Sequence, residues 1–200
     1  MIDSLIETAK NYSPVEATAV ITSVIYLLLA VKEDIRCWYF SLISIVLYFY
    51  VFAKSGLYAE TALQFYYLGT TVYGYYTWKY KKQRKDGEKL IEKMSRKAHL
   101  ISFLIILVGT AAAGTYLHTQ TAAAYPYLDS FTTTGALVVT FLVTQKYLEN
   151  WLYWIVVDGA GIYLFWKTEL YLTALLFAAY TVMVVFGYFN WKRKYDEQTA

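Results

Sequence analysis

The sequence predicts an all-α integral membrane protein in which seven transmembrane helices form 3+1+3 parallel repeats. Three observations predict this fold: an apolar composition, seven apolar runs separated by polar breaks, and an internal repeat. Of the 200 residues, 58% are hydrophobic and only 16% are charged, whereas soluble domains carry about 25% charged residues. A single small domain cannot bury this much apolar surface within itself, so a bilayer must cover the rest.

Seven apolar runs follow one another along the chain, each near the length that crosses a bilayer. Short polar breaks join most of them, which makes successive helices antiparallel. Interfacial Trp, Tyr and Lys residues can extend the shorter runs into the headgroup region. The runs cover residues 15–31, 37–53, 59–80, 100–117, 128–145, 151–166 and 171–191.

These runs divide the chain into six segments. Residues 1–13 are expected to form an amphipathic segment on the membrane surface, because their apolar side chains share one helical face. The later segments are a first three-helix unit, a basic cytoplasmic loop, a linker helix, a second three-helix unit and a cytoplasmic tail. In the same order, they cover residues 14–80, 81–99, 100–117, 128–191 and 192–200.

The distribution of Lys and Arg predicts the orientation. Seven crossings place 15 of these residues on the side of the 81–99 loop and three on the other side. Cytoplasmic loops are the ones enriched in Lys and Arg, so the N-terminus is expected outside and the C-terminus in the cytoplasm. The basic loop also contains acidic residues and lies between two spans, which indicates a solvated linker and no nucleic-acid partner.

An internal repeat appears when the chain is compared with itself at the offset that aligns Trp38 with Trp151. Gly74 then aligns with Gly187, within 13 identities over 42 positions without a gap. The single linker helix returns the chain to its starting side, so the two copies have the same orientation. Parallel repeats of this kind occur in some transporters, whose substrate sites lie near the membrane midplane.

Two polar positions differ between the copies and therefore point to function. Asp158 aligns with Ile45, and Gln64 aligns with Phe177. Asp158 lies about 10 Å into its span, where a carboxylate costs about 2.5–3.5 kcal/mol and by default faces a cavity or a partner.

Aromatic and polar residues share helical faces with these two positions. Trp151, Trp154 and Asp158 occur at i, i+3 and i+7, as do Gln64, Tyr67 and Thr71. The candidate substrate-binding residues are Gln64, Tyr67, Thr71, Tyr73, Asn150, Trp151, Trp154 and Asp158.

Structural roles compete with binding roles at several of these positions. Trp38, Trp78 and Trp191 are expected to belong to an aromatic belt at the cytoplasmic edge of the membrane. For Trp151, a place in this belt and a role in binding are equally expected. Gln64 could hydrogen-bond another helix. Asp158 could be the structural partner of a hydroxyl group, although a ligand or pathway role is expected.

Aromatic rings around a carboxylate suit a flat organic cation, because the rings stack on it and attract its charge. Gln64 adds a donor and an acceptor. The sequence contains no Ser-His-Asp pattern, no metal-ligand cluster and no phosphate-binding loop, so an enzyme, a cofactor and a metal site are not predicted. The lone Cys37 excludes an internal disulfide.

Two motifs resemble those of the Pnu vitamin transporters. The first is LQ at residues 63–64 followed by YGYYTW at 73–78, similar to the family pattern LQ…YGWxxW; the second is KYLENWLYW at 146–154, similar to KYxENWxxW. The resemblance covers nearly the whole chain. It implies a fold like that of the sugar-transporting SWEET proteins, a bacterial inner-membrane location and facilitated diffusion of an unphosphorylated vitamin precursor. It also implies a cytoplasmic kinase that traps the substrate, and it is compatible with a homo-oligomer.

The resemblance leaves two substrates nearly level. In nicotinamide riboside members (PnuC), the positions matching Gln64, Trp151, Trp154 and Asp158 lie at or near the binding site, and Asn occupies the region of Asp158. An aminopyrimidine amine suits a carboxylate, which slightly favours thiamine, the substrate of the related PnuT group. A proton-coupled vitamin or sugar carrier that uses Asp158 as its proton site is the alternative class.

Overall fold

The structure is a computed structural model, and it describes residues 14–54, 56, 58–81 and 90–200. The expected amphipathic segment at residues 1–13 lies outside this part of the chain. The described residues contain seven α-helices in the predicted order. They are α1 (Pro14–Val31), α2 (Cys37–Lys54), α3 (Tyr58–Tyr80), α4 (Arg96–Gln120), α5 (Pro126–Thr144), α6 (Asn150–Lys167) and α7 (Tyr171–Thr199).

Two helices extend beyond their predicted bounds, into segments expected to be loop or tail. Helix α4 begins at Arg96 because the side chain of Ser95 caps it, accepting a hydrogen bond from the Ala98 amide at 3.1 Å. The expected tail at 192–200 is the end of α7. Its residues are good helix formers, and Arg193 and Glu197 lie 3.8 Å apart one turn from each other.

The chain divides into two compact units, Met1–Tyr75 and Tyr76–Ala200. The predicted linker helix α4 therefore belongs to the second unit, where it packs closely against α5. A Cβ added at Gly109 would lie 2.5 Å from the Thr134 side chain, and one at Gly114 would lie 2.4 Å from Tyr127. The two glycines allow the close approach of α4 and α5.

Five helices are long and apolar enough to cross a membrane: α1, α2, α4, α5 and, from Thr173, α7. The two others, α3 and α6, have 23 and 18 residues, which gives lengths of about 34 and 27 Å. Their lower hydropathy has a simple cause, since these two helices carry all eight candidate substrate-binding residues.

Tryptophans at the helix ends are buried, so the expected aromatic belt is wrong for Trp38, Trp78 and Trp191. Their exposed fractions are 2%, 2% and 0%. In the first unit, the Trp38 ring lies over Gly74, where an added Cβ would approach it to 2.3 Å. In the second unit, Trp151 lies over Gly187 in the same way, at 2.7 Å. A glycine on the opposite helix makes room for the Trp38 and Trp151 rings, whereas Trp78 and Trp191 pack edge-on against each other with 5.7 Å between their ring centroids.

The turns between helices use left-handed backbone at matching positions. Glu33 and Lys146, which the repeat offset aligns, have φ of 65° and 54°. Gly56 and Glu169, aligned by the same offset, have φ of 72° and 62°. The turn hydrogen bonds match as well, because Glu33 N donates to Ala30 O at 2.9 Å and Lys146 N donates to Val143 O at 3.0 Å.

A Glu169→Gly substitution is expected to stabilise the protein by about 0.5–1 kcal/mol, because an L-residue in the left-handed region costs about 1–2 kcal/mol and Gly avoids most of that cost. Thermal unfolding in detergent measures the change. The control is Lys167→Gly, two residues earlier in helical backbone, which should destabilise by up to about 1 kcal/mol. A lower melting temperature for both variants would contradict the assignment of strain to Glu169.

Candidate substrate-binding residues

In the second unit, the first turn of α6 buries a hydrogen-bond acceptor and a donor side by side. Asn150 and Trp151 are 0% and 1% exposed. The Asn150 side-chain amide donates to the Tyr147 carbonyl at 2.6 Å. Among the described residues, the Asn150 Oδ1 and the Trp151 Nε1 have no hydrogen-bond partner. Buried polar atoms are rarely left unpaired, so these two unsatisfied atoms distinguish the start of α6.

Asp158 lies two turns further along α6, about 12 Å from its start. It is 4% exposed, and its side chain forms no hydrogen bond or ion pair within the described part of the chain. Trp154 is half-buried on the same face. A buried carboxylate without a protein partner is costly, and a cationic ligand beside it would offset that cost.

Within the second unit, three tryptophans pack together near the start of α6. Trp191 packs edge-on against Trp151 at 5.3 Å and against Trp78 at 5.7 Å between ring centroids. The Lys146 ammonium lies 4.5 Å from the Trp78 ring centroid, and the Trp78 Nε1 donates to the Val143 carbonyl at 3.1 Å. Trp191 therefore contacts both Trp151 and Trp78.

Sequence reasoning assigned no role to Lys146 and placed Trp78 and Trp191 in the belt. A signal was nevertheless present, because Trp78 aligns with Trp191 in the repeat. The repeat also aligns Glu33 with Lys146, a pair that the structure buries in left-handed backbone in each unit.

In the first unit, α3 carries the remaining candidates. Gln64 is buried, and its amide donates to the Glu60 carbonyl of its own helix at 3.2 Å. The buried Thr71 hydroxyl lies 2.7 Å from the Ser41 hydroxyl of α2. Tyr67 and Tyr73 are half-buried. The Ser41 contact was missed from the sequence, because scattered serines in apolar helices give no pairing signal.

The glycines beside Asp158 behave differently from each other. Gly161 faces the Phe177 ring, 2.7 Å from an added Cβ, so it allows the close approach of α7. An added Cβ at Gly159 meets no atom of the described residues within 4 Å. Of these two glycines, it is therefore Gly161 that permits close helix packing.

Known relatives match most of the chain. The "Nicotinamide riboside transporter PnuC" of Haemophilus influenzae is 30% identical over 178 residues, covering 86% of this chain and 76% of that protein. The protein of the same name from Escherichia coli is 23% identical over 205 residues, covering 90% and 86%. A solved structure described as the crystal structure of the vitamin B3 transporter PnuC matches with a TM-score of 0.71 and 25% identity, covering 98% of this chain and 88% of that one.

A family-level match extends over nearly the whole sequence. The family described as nicotinamide mononucleotide transporter matches residues 13–193. The protein crosses the bacterial inner membrane several times, as its apolar helices and its similarity to these transporters show. The chain therefore belongs to the nicotinamide mononucleotide transporter family of vitamin-precursor transporters.

Proposed function

We propose that this protein takes up nicotinamide riboside across the bacterial inner membrane by facilitated diffusion. The observation that carries the proposal is the pair of unpaired buried atoms at the start of α6, the Asn150 Oδ1 and the Trp151 Nε1. The buried Asp158 carboxylate, on the same helical face as Trp151 and Trp154, supports a cationic substrate of either kind. The names of the relatives support this choice of substrate.

The first turn of α6 suits the nicotinamide group. A carboxamide is both a donor and an acceptor, and it complements the unpaired Asn150 Oδ1 and Trp151 Nε1. Tryptophan rings stack on a flat pyridinium and attract its charge, while the Asp158 carboxylate neutralises that charge in a site of low dielectric.

Thiamine is the second candidate, and Asp158 is the observation that favours it. The exocyclic amine of an aminopyrimidine is a donor, and a carboxylate is its strongest acceptor. Both compounds contain a ring cation, so charge alone does not separate them.

The first-unit residues Gln64, Tyr67, Thr71 and Tyr73 are also proposed as substrate-binding residues. Gln64 uses one amide N–H on its own helix, which leaves its second N–H and its carbonyl oxygen for a ligand. The Thr71 hydroxyl retains hydrogen-bonding capacity besides its contact with Ser41.

We also propose a SWEET-like 3+1+3 parallel repeat with seven crossings, the N-terminus outside and the C-terminus in the cytoplasm. The left-handed residues and the Trp–Gly contacts that match at the repeat offset support the repeat. Parallel copies require α3 and α6 to cross the membrane, and both are long enough to do so. The asymmetry in Lys and Arg supports the orientation.

Uptake into proteoliposomes tests the mechanism. With labelled nicotinamide riboside outside, we expect equilibration without accumulation, no effect of an imposed pH gradient, and accumulation only when a riboside kinase and ATP are enclosed. Thiamine with an enclosed thiamine kinase tests the second candidate in the same way. Accumulation driven by the pH gradient alone would replace facilitated diffusion with the proton-coupled alternative.

A further inference from the structure

A short segment of the basic 81–99 loop, Leu90–Ser95, lies against the turn that precedes α6. We call this segment the strap. Its Glu92 amide donates to the Lys146 carbonyl at 3.1 Å, and the Leu148 amide donates to the Glu92 carbonyl at 2.9 Å. These two bonds form a parallel β-bridge between Glu92 and Tyr147. The backbone of the strap is therefore hydrogen-bonded directly to the turn Gln145–Glu149.

Two side chains, those of Gln198 and Glu149, form hydrogen bonds with the backbone of the strap. The Gln198 carboxamide of α7 accepts a hydrogen bond from the Ile91 amide at 3.2 Å and donates a short one to the Ile91 carbonyl. The Glu149 carboxylate accepts a hydrogen bond from the Met94 amide at 2.9 Å. The side chains of the two strap residues that form these bonds, Ile91 and Met94, are buried.

Glu149 links the strap directly to the candidate site. It is the N-cap residue of α6, yet its side chain makes no capping hydrogen bond with that helix. Its carboxylate is used on the strap instead. Asn150 and Trp151, whose buried polar atoms lack partners among the described residues, are the next two residues.

We propose that Gln198 and Glu149 are positioning residues: through the strap, they hold the first turn of α6 in the geometry in which Asn150 and Trp151 bind substrate. Neither residue needs to touch the substrate. The inference rests on the proposed binding role of Asn150 and Trp151, and the strap adds a determinant of the site that is remote from them in sequence.

The first test measures equilibrium binding of nicotinamide riboside and thiamine to the purified full-length protein. Gln198→Ala should weaken binding about three- to tenfold, the effect of one or two lost hydrogen bonds transmitted to the site. Thr199→Ala is the matched control, because within the described part of the chain the Thr199 hydroxyl donates only to carbonyls of its own helix. This variant should bind as the unmodified protein does.

A disulfide across the β-bridge tests whether the loss of affinity comes from a displaced strap or from a general loss of stability. Residues opposite each other in a β-bridge lie about 4.8 Å apart, within disulfide range. A disulfide between Glu92→Cys and Tyr147→Cys can therefore hold the strap in place when the hydrogen bonds of Gln198 are lost. In the Gln198→Ala background, copper-phenanthroline oxidation should restore affinity, and reduction should remove it again. The native Cys37 is buried, and each single-cysteine variant serves as a control.

A second pair of variants covers the case in which the disulfide does not form. Glu149→Gln keeps an acceptor for the Met94 amide and should bind nearly normally, whereas Glu149→Ala should show the weakened binding. Unchanged affinity in Gln198→Ala, weakened binding that a formed disulfide does not restore, or equal losses in both Glu149 variants would each overturn the proposal. If the unmodified protein binds neither ligand, that result contradicts the proposed function and not the positioning role of the strap.

Discussion

Replacing Asp158 by Asn is expected to weaken binding of the cationic vitamin precursor by about 10- to 100-fold. Interactions with a charged partner contribute about 1.5–3 kcal/mol, and each 1.4 kcal/mol is a factor of about ten in affinity. The large effect follows from the environment: Asp158 is buried, and the described residues offer its carboxylate no hydrogen bond or ion pair. Isothermal titration of the purified variant measures the change.

Two controls match this substitution. Ile45→Val changes the position that aligns with Asp158 in the other copy, and that position is also buried. Gly159→Ala changes the adjacent residue in α6, where an added Cβ meets none of the described atoms within 4 Å. Both should bind within about twofold of the unmodified protein, as expected for changes that remove no ligand contact. Equal small effects from Asp158→Asn and Ile45→Val would show Asp158 to be structural.

The same variant helps to separate the two candidate substrates. Asn can both donate and accept, which suits a carboxamide, but it is a weaker acceptor than a carboxylate for an aminopyrimidine amine. Asp158→Asn should therefore reduce the affinity for thiamine more than the affinity for nicotinamide riboside. An equal reduction for both compounds would mean that Asp158 acts only on the shared ring charge.

Gly74→Ala is expected to destabilise the first unit by about 1–3 kcal/mol, the usual cost of forcing an extra methyl group into a packed core. The added Cβ would lie 2.3–2.7 Å from three atoms of the Trp38 ring. That ring is 2% exposed, so it has little room to move. Thermal unfolding in detergent, followed by tryptophan fluorescence, measures the loss.

Gly69→Ala is the matched control on the same helix. No atom of the described residues lies within 4 Å of a Cβ added at Gly69, and Ala is a better helix former than Gly by about 1 kcal/mol. Gly69→Ala should therefore leave stability unchanged or raise it. Equal destabilisation by the two substitutions would indicate a general intolerance of α3 and would remove the specific role of the Trp38–Gly74 contact.

Helix positions were predictable because apolar runs and short polar breaks record them directly in the sequence. Most of the predicted bounds lie within two residues of those in the structure. The main errors lie at α4 and α7, which continue into charged residues. Hydropathy marks where a helix enters the headgroup region, whereas the Ser95 cap and the helix-forming residues of the tail determine where it begins or ends.

The burial of the tryptophans was less predictable. A Trp at a helix end fits an interfacial belt and a buried contact equally well, because the ring is apolar and its N–H is polar. The deciding residue lies on another helix, as Gly74 does for Trp38 and Gly187 does for Trp151. In the repeat, Trp38 aligns with Trp151 and Gly74 aligns with Gly187. The sequence therefore already contained each Trp–Gly pair in both copies.

The candidate site was predictable in part for a similar reason. Asp158 stands out because a carboxylate in an apolar span is rare, and its aromatic neighbours follow from helical spacing. The strap leaves no such signal, since its bonds to Gln198 and Glu149 involve backbone groups of Ile91 and Met94. Backbone groups are the same at every position, so only the folded chain reveals that contact.

Equilibrium titration of nicotinamide riboside and thiamine against the purified protein, followed by tryptophan fluorescence, tests the central claim most directly. We expect saturable binding of at least one of the two cations, nanomolar to micromolar in affinity, with a fluorescence change that depends on Trp151 or Trp154. No saturable binding of either compound in the folded protein would contradict the claim that this site recognises a cationic vitamin precursor.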